Sequence, residues 1–298
     1  MAGKRPSRSP VGTFGALIEE YRQSPNWTQL ADGTRKRYLE RLDTLAHLRA
    51  VPLEDIRRRH VMQLRDKLAA TPGQAALTVA MMSLLLNFAV DREYIPANPA
   101  ARVKKPTLGR WKRWNDAEVT LITTQAKEPI RRAALLAVET GQRLGDLIAM
   151  TWTQWDGAGL RLKQQKTGQD LYVPASARLL PEIKAWRAET NAITILTDYR
   201  GKPWQRTTLQ GNWQIEMRRL GLQGQGLTFH GMRATLASRL AEQGATTHEI
   251  AAVTGHQTLA MIERYTKDAD QERRASAAVL KLDRSRGKTT SRKGSASD

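Results

Sequence analysis

Six side chains between residues 143 and 265 are of the types needed to break and rejoin a phosphodiester bond. They are Arg143, Lys166, His230, Arg233, His256 and Tyr265. A tyrosine can attack phosphorus, but its pKa of about 10 keeps it protonated at neutral pH, so it needs cationic neighbours or a base. Planar guanidinium groups bind two phosphate oxygens at once, which makes the two arginines candidate phosphate ligands. The set therefore points to strand transfer on DNA.

The local sequence indicates a separate role for several of these residues. His230 and Arg233 are three residues apart at a predicted helix start, so both can address one phosphate from the same helix face. Lys166 lies in a predicted hairpin turn, where its ammonium group can protonate a leaving 5′ oxygen. His256 follows a glycine that ends a helix, which leaves its ring free to donate a hydrogen bond to a nonbridging oxygen.

Each signal taken alone also has a structural explanation. Arg143 lies just past a predicted helix end, and Asp146 is expected to hold its guanidinium group in place. The same two residues equally fit an ordinary surface ion pair. Lys166 fits an ordinary turn lysine, and Tyr265 fits core packing because it shares a helix face with Ile262. The six residues together, in this order and spacing, favour the catalytic interpretation.

The elements that position these side chains are predicted to be mainly helices. Asn115 and Glu118 form a capping-box pattern at the start of the region. Helices are expected at 129–140, 144–150, 176–190, 206–220, 230–243, 247–254 and 258–268. Residues 160–163 and 171–173 flank Lys166-Thr-Gly and predict one β-hairpin. Residues 114–275 are therefore expected to form a mostly helical domain with a small antiparallel sheet.

Apolar residues at helical spacing predict another helical domain over residues 13–101. Its helices are expected at about 14–21, 34–48, 53–70 and 74–91. Residues 1–12 have the composition of a disordered basic arm. Residues 276–298 are expected to be a C-terminal segment with a basic tail.

A basic linker is predicted between the two domains, at residues 102–113. It contains six basic residues and no acidic residue. These are Arg102, Lys104, Lys105, Arg110, Lys112 and Arg113. A solvated spacer would explain this composition, but the density of unpaired positive charge favours a strap that lies along DNA phosphates.

The composition agrees with a nucleic-acid partner and excludes several other classes of function. The formal net charge is +19, and most of it lies on the folded body rather than on the two ends. The chain has no cysteine, so disulfide and thiolate metal chemistry are excluded, and no histidine pair has the spacing of a metal site. We expect no apolar run near the roughly 20 residues of a membrane helix. A cytoplasmic protein associated with the nucleoid is predicted.

Five motifs in the chain resemble those of tyrosine recombinases of the phage-integrase type. They are Thr140-Gly-Gln-Arg143-Leu-Gly-Asp146-Leu-Ile-Ala-Met-Thr-Trp152, Lys166-Thr-Gly, His230-Gly-Met-Arg233-Ala-Thr, Thr254-Gly-His256 and Glu263-Arg-Tyr265-Thr. The end of the first domain, Asn87-Phe-Ala-Val and Ile95-Pro-Ala-Asn98-Pro99, also looks like that of the family's core-binding domain. The resemblance implies a SAM-like helical core-binding domain and a catalytic domain of the DNA breaking-rejoining fold, which together clamp DNA.

The resemblance also implies a mechanism and a set of partners. Tyr265 would form a 3′-phosphotyrosyl bond while Arg143 and Arg233 brace the phosphate. Lys166 would protonate the 5′-hydroxyl, His230 would assist proton transfer, and His256 would add a hydrogen bond. No cofactor, ATP or metal is expected. The implied partners are double-stranded DNA with inverted-repeat core sites and an accessory directionality factor. A monomer in solution would become a homotetramer in the synaptic complex, with residues 276–298 docking in trans.

Two other functions use the same parts. A type IB topoisomerase-like DNA relaxase shares the chemistry but needs no specific sequence or synapsis. A catalytically silent DNA-binding regulator would use the fold only to hold DNA. The presence of all six catalytic side chains favours the recombinase.

Overall fold

A computed structural model describes residues 10–109, 111–258, 260–263, 265, 275 and 279–280. The chain divides into two compact units, Met1–Gly109 and Arg110–Asp298. Each unit has a hydrophobic core of its own. Residues 1–9 of the predicted arm and most of the predicted C-terminal segment lie outside the described residues.

The first unit is built from helices. They are α1 (Phe14–Gln23), α2 (Pro25–Thr28), α3 (Asp32–Thr44), α4 (Arg58–Lys67) and α5 (Pro72–Val90). Thr13 begins α1, because its hydroxyl accepts a hydrogen bond from the backbone N–H of Ala16 at 3.3 Å. A 3-10 turn at Ala46–Leu48 replaces the end of the helix predicted at 34–48. Another at Leu53–Asp55 replaces the start of the helix predicted at 53–70.

The helix α5 forms the centre of this unit. Its 19 residues are long and apolar enough to cross a membrane by length and composition, so the expectation that no apolar run approaches that length was wrong here. Its side chains Val79, Met82 and Leu85 are almost completely buried, and α5 packs against α1, α3 and α4. This packing accounts for the apolar sequence of α5 as a core helix.

The second unit is mostly helical with one small antiparallel sheet, as predicted. Its elements are α6 (Asp116–Gln125), α7 (Glu128–Thr140), α8 (Leu144–Ala149), β1 (Gly159–Lys163), β2 (Asp170–Pro174), α9 (Leu179–Glu189), α10 (Arg206–Arg219), α11 (Phe229–Glu242) and α12 (Thr247–Thr254). In the sheet, Leu162 pairs with Leu171, and both side chains point into the core. Residues 260–263 and 265 are helical as well.

The helix α7 is the core of the second unit. Its side chains from Ile130 to Val138 include seven that are at most 2% exposed, and it packs against α6 and α11. The predicted capping box is present at the start of α6, where Asn115 and Glu118 each accept a hydrogen bond from the other's backbone N–H. The buried helix α7 thus provides a rigid support for the two segments that carry the arginines.

Candidate active site

Arg143 lies in the turn between α7 and α8. The helix α7 ends at Gly141, whose φ of 63° is in the left-handed region that favours glycine. A Cβ at this position would lie 2.9 Å from Leu236 Cδ2, so a larger residue would also require the Leu236 side chain to move. Arg143 follows with an extended backbone and precedes α8. Its guanidinium Nη1 donates a hydrogen bond to Gln164 Oε1 at 2.6 Å.

Arg233 is almost completely buried in α11, with 1% of its surface exposed. Its Nη1 donates to the carbonyl oxygen of Gly141 at 2.7 Å. Its Nε and Nη2 atoms are also buried but have no hydrogen-bond partner among the residues that the structure describes. Burial, together with the charge of Arg143, lowers the pKa of Arg233 to about 10, so the group is still charged at neutral pH. A buried cation with two unused donors is costly unless an anion binds to it.

His230 lies in the first turn of α11, three residues before Arg233. Thr228 begins the helix by accepting a hydrogen bond from the Gly231 backbone at 3.0 Å. Burial lowers the pKa of His230, and the positive charges of Arg233, Arg143 and Lys166 lower it further. The ring is therefore neutral at pH 7 and has one nitrogen able to accept a proton.

Lys166 is exposed in the turn between β1 and β2, as predicted from the hairpin pattern. Asp146 is close to this turn, but it does not hold Arg143. Its Oδ1 accepts a hydrogen bond from the backbone N–H of Gln165 at 2.9 Å, and no ion pair joins these two described residues, Arg143 and Asp146. The predicted contact was wrong because Arg143 has an extended backbone, so the three-residue helical spacing does not apply to it. Asp146 instead fixes the hairpin turn.

His256 follows Gly255, which ends α12 with a φ of 69°. The Thr254 hydroxyl lies 2.5 Å from the carbonyl oxygen of Ile250 and 2.7 Å from His256 Nδ1. Two oxygens this close need the hydroxyl proton between them, so Thr254 accepts its second hydrogen bond from Nδ1–H. Burial, followed by the charge of Arg233 and Arg143, lowers the pKa of His256 to about 3. The neutral ring therefore presents a lone pair at Nε2, and the donor role predicted from sequence requires the ring to take up a proton.

Tyr265 is partly buried on the helical segment that follows His256. Ile262 of the same segment is fully buried and packs with Ala237, Ala241 and Ile250 of α11 and α12. The Tyr265 ring centroid lies 5.9 Å from that of His256, and Tyr265 is near enough to raise the pKa of Arg233. The helical segment is therefore held in the core by Ile262, and Tyr265 on the same segment lies at the site. The two interpretations of this segment are compatible.

The structure brings the six predicted residues together in the second unit. Arg143, Arg233 and Lys166 all act on His230 electrostatically, and His256 is in contact with Tyr265. Three separate segments supply them: the turn between α7 and α8, the hairpin turn, and the region from α11 to residue 265. The arrangement is a cationic centre with a tyrosine at one side, which suits an in-line attack on a phosphodiester.

The predicted basic linker has a different structure in each unit. Arg102, Lys104 and Lys105 are exposed in the first unit, whereas Arg110 lies outside the described residues. In the second unit, Lys112 pairs with Glu118 at 3.1 Å and Arg113 pairs with Glu242. The prediction of unpaired charge was therefore wrong for Lys112 and Arg113.

Three residues that the sequence interpretation did not single out also contact the site. Gln142 and Gln164 are both 1% exposed, and their side chains are hydrogen bonded to each other at 2.7 Å. Trp111 packs its ring against His230, with 4.9 Å between the ring centroids. The sequence places Gln142 directly before Arg143, and it places Gln164 two residues before Lys166. No local sequence rule predicts which residues these two side chains contact.

The site residues fall within one family match. The sequence model of the phage integrase family matches residues 113–272, which is more than half of the chain. This chain belongs to the phage integrase family. All six residues from Arg143 to Tyr265 lie inside the matched range.

The relatives of this integrase-family chain include proteins from bacteria and phages. It is 28% identical to the shufflon-specific DNA recombinase of Escherichia coli, over 85% of this chain and 65% of that protein. It is 26% identical to the integrase of Enterobacteria phage 434, over 74% of this chain and 66% of that protein. The chain thus spans slightly less than two thirds of the length of these relatives.

The fold is shared with solved lambda integrase structures. A lambda integrase (75–356) dimer bound to a COC′ core site matches with a TM-score of 0.75 and 22% identity, over 85% of this chain and 95% of that one. A lambda integrase tetramer bound to a Holliday junction matches with a TM-score of 0.73 and 22% identity, over 86% of this chain and 78% of that one. At this identity the likeness establishes the fold.

Proposed function

We propose that this integrase-family chain is a site-specific DNA recombinase that acts through a 3′-phosphotyrosyl intermediate. The observation that supports this most strongly is the buried guanidinium of Arg233, whose Nε and Nη2 have no partner in the described structure. A phosphate with two nonbridging oxygens satisfies such donors, and Arg143 adds a second guanidinium nearby. The charge that develops on the phosphate in the transition state is then stabilised by groups already in place.

In the cleavage step, the Tyr265 oxygen forms a bond to the scissile phosphorus and the bond to the 5′ oxygen breaks. The tyrosine proton moves to His230, whose ring is neutral at pH 7 and can accept it. His256, which contacts the Tyr265 ring, has a pKa of about 3 and is too weak a base for this step. Lys166, at the tip of the hairpin, donates a proton to the departing 5′ oxygen.

In the rejoining step, a 5′-hydroxyl attacks the phosphotyrosine and the Tyr265 oxygen leaves. The number of phosphoester bonds does not change across the two steps. Strand exchange therefore needs no external energy source, and the chemistry is assigned to side chains of this chain only.

We further propose double-stranded DNA with inverted-repeat core sites as the substrate and a homotetramer on two duplexes as the active form. The likeness to a dimer on a core site and a tetramer on a Holliday junction supports both. The formal net charge of +19 suits a polyanionic partner. An accessory directionality factor and action on the nucleoid in the cytoplasm belong to the same proposal.

The test is adduct formation on a library of nicked duplexes with randomised sequence. A nick next to the scissile phosphate lets the short product strand diffuse away, so the covalent adduct accumulates. The wild-type chain is expected to yield an adduct that survives denaturation, and the recovered DNA is expected to share inverted repeats. Tyr265→Phe should give no adduct, while Tyr199→Phe, at an exposed tyrosine of the same unit, should give the wild-type amount. Adducts whose DNA shares no common sequence would instead favour a relaxase. If the wild-type chain formed no adduct at all, the proposal would be overturned.

A further inference from the structure

Gln164 occupies a buried position between three segments of the site. It follows β1 directly and is 1% exposed. Its Oε1 accepts hydrogen bonds from Arg143 Nη1 at 2.6 Å and from the Thr167 hydroxyl at 2.9 Å. Its Nε2 donates to Gln142 Oε1 at 2.7 Å and to the carbonyl oxygen of Thr254 at 3.0 Å. All four hydrogen-bonding positions of the amide are therefore used.

The partners of Gln164 fix the orientation of its amide. Arg143 can only donate, and the carbonyl oxygen of Thr254 can only accept. A rotated amide would place NH₂ against the guanidinium and oxygen against the carbonyl, which would break both bonds. The Thr167 and Gln142 contacts agree with the same orientation. A carboxylate, a hydroxyl or an apolar side chain cannot make this set of four bonds.

These contacts link the three segments that carry candidate catalytic groups. Arg143 lies in the turn between α7 and α8, Thr167 is next to Lys166 in the hairpin turn, and Thr254 is two residues before His256. We infer that Gln164 is a positioning residue of the strand-transfer reaction, which holds the Arg143 guanidinium in register with the Lys166 turn and the His256 loop. This inference rests on the proposed function.

The close approach at Gly255 supports the same role. A Cβ on Gly255 would lie 2.5 Å from Gln164 Nε2, so the end of α12 can reach the amide only because this residue is glycine. Gly255 also has a left-handed φ of 69°. The backbone before His256 is thus fitted to the Gln164 side chain.

The test compares single-turnover adduct formation by three variants on the duplex recovered with the wild-type chain. Gln164→Met removes all four hydrogen bonds at similar volume, and Gln164→Glu keeps an acceptor for Arg143 but loses both donors. Either variant is expected to cut about 100-fold more slowly, because small displacements of reacting groups have effects of this size. DNA affinity should change by no more than about threefold. Gln165→Met, at an exposed side chain of the same turn, is the matched control and should keep the wild-type rate.

A double-mutant cycle separates positioning from a general loss of structure. If Gln164 acts through Arg143, adding Gln164→Met to Arg143→Lys should slow the reaction by no more than about threefold further. The inference would be overturned if the rate losses of Gln164→Met and Arg143→Lys multiplied in the double variant. It would also be overturned if the Gln164 variants cut at the wild-type rate. Either result would leave the proposed function intact. A wild-type chain that forms no adduct would overturn the proposed function and this inference with it. Should Gln164→Met not fold, the same cycle is run with Gln164→Glu.

Discussion

Arg233 determines the character of the site at the scale of single residues. Its side chain is buried and donates a hydrogen bond to Gly141, while its Nε and Nη2 have no partner within the described part of the chain. Protein interiors rarely contain such groups unless a ligand completes them. The free protein therefore carries a local destabilisation, which phosphate binding relieves under the proposed function; this is how a site becomes complementary to a charged transition state.

Replacing Arg233 by methionine should stabilise the DNA-free protein and abolish adduct formation. The substitution removes a buried charge that is incompletely paired. The free energy of unfolding is therefore expected to rise by about 1–3 kcal/mol. Urea denaturation followed by tryptophan fluorescence measures this change. The control is Arg239→Met on the same helix, where the exposed pair with Asp116 predicts a change below about 1 kcal/mol and normal adduct formation. A destabilised Arg233→Met protein would contradict this account of the site.

His256 should give the free protein a specific sensitivity to acid. Its pKa is about 3 in the folded chain, against an ordinary value of 6.5. Because the folded-state value is the lower one, protonation favours unfolding, and the stability is lost as pH falls from 6.5 towards 3. Between neutral pH and pH 5 this loss is about 2 kcal/mol.

The measurement is urea denaturation of the wild-type and variant proteins across this pH range. His256→Asn retains a donor towards Thr254 but does not titrate, so its unfolding free energy should fall less steeply with acid. His248→Asn, at an exposed histidine of α12, should retain the wild-type slope. Equal slopes for all three proteins would refute the buried, neutral His256.

At the scale of elements, the start of α11 is held by the chain segment before α6. The Trp114 backbone N–H donates to the Thr235 hydroxyl at 2.8 Å, and its indole N–H donates to the carbonyl oxygen of Thr228 at 3.0 Å. Trp111 adds its ring contact with His230. The first turn of α11, which carries His230, is therefore covered by residues 111–114.

Gly231 permits this close contact, and Gly231→Ala should disrupt it. A Cβ there would lie 2.4 Å from the Lys112 carbonyl oxygen. This clash should outweigh the higher helix propensity of alanine and lower the free energy of unfolding by about 1–3 kcal/mol. Gly211→Ala is the matched control, because Gly211 lies on α10 with no neighbour within 4 Å. It should stabilise the protein by about 0.5–1 kcal/mol. A change of the same sign in both variants, read from urea midpoints, would contradict the contact.

The sequence predicted those features that depend on residues close in the chain. The capping box at Asn115 and the helix end at residue 140 follow from local hydrogen bonding. The contacts of Gln164 could not be predicted, because its partners Arg143 and Thr254 are 21 and 90 residues away. The residue types limited the class of reaction that the site can catalyse. Tertiary contacts decide which groups orient the reacting side chains.

At the scale of the whole molecule, positive charge governs the expected encounter with DNA. The exposed Lys104 and Lys105 form no ion pair with any residue that the structure describes, whereas Lys112 and Arg113 both have carboxylate partners. A cation that already has an acidic partner releases fewer counterions from DNA when it binds a phosphate. The two halves of the predicted basic linker should therefore contribute unequally to the salt dependence of DNA binding.

Salt dependence of binding to a random duplex measures this difference. Affinity should fall steeply between about 50 and about 200 mM salt. Replacing Lys104 and Lys105 by glutamine should reduce the slope of log affinity against log salt by about 2, and replacing Lys112 and Arg113 by less than about 1. Fluorescence anisotropy at several salt concentrations gives the slopes. Equal reductions would show that the ion pairs open freely on DNA.

The central claim is that Tyr265 becomes covalently joined to DNA. Mass spectrometry of the protease-digested adduct tests it directly, because one peptide must carry the 3′-nucleotide. The account predicts the modification on the tyrosine of the peptide that contains Tyr265, with a free 5′-hydroxyl on the released strand. A nucleotide on any other residue, or a 5′-phosphate on the released strand, would contradict it.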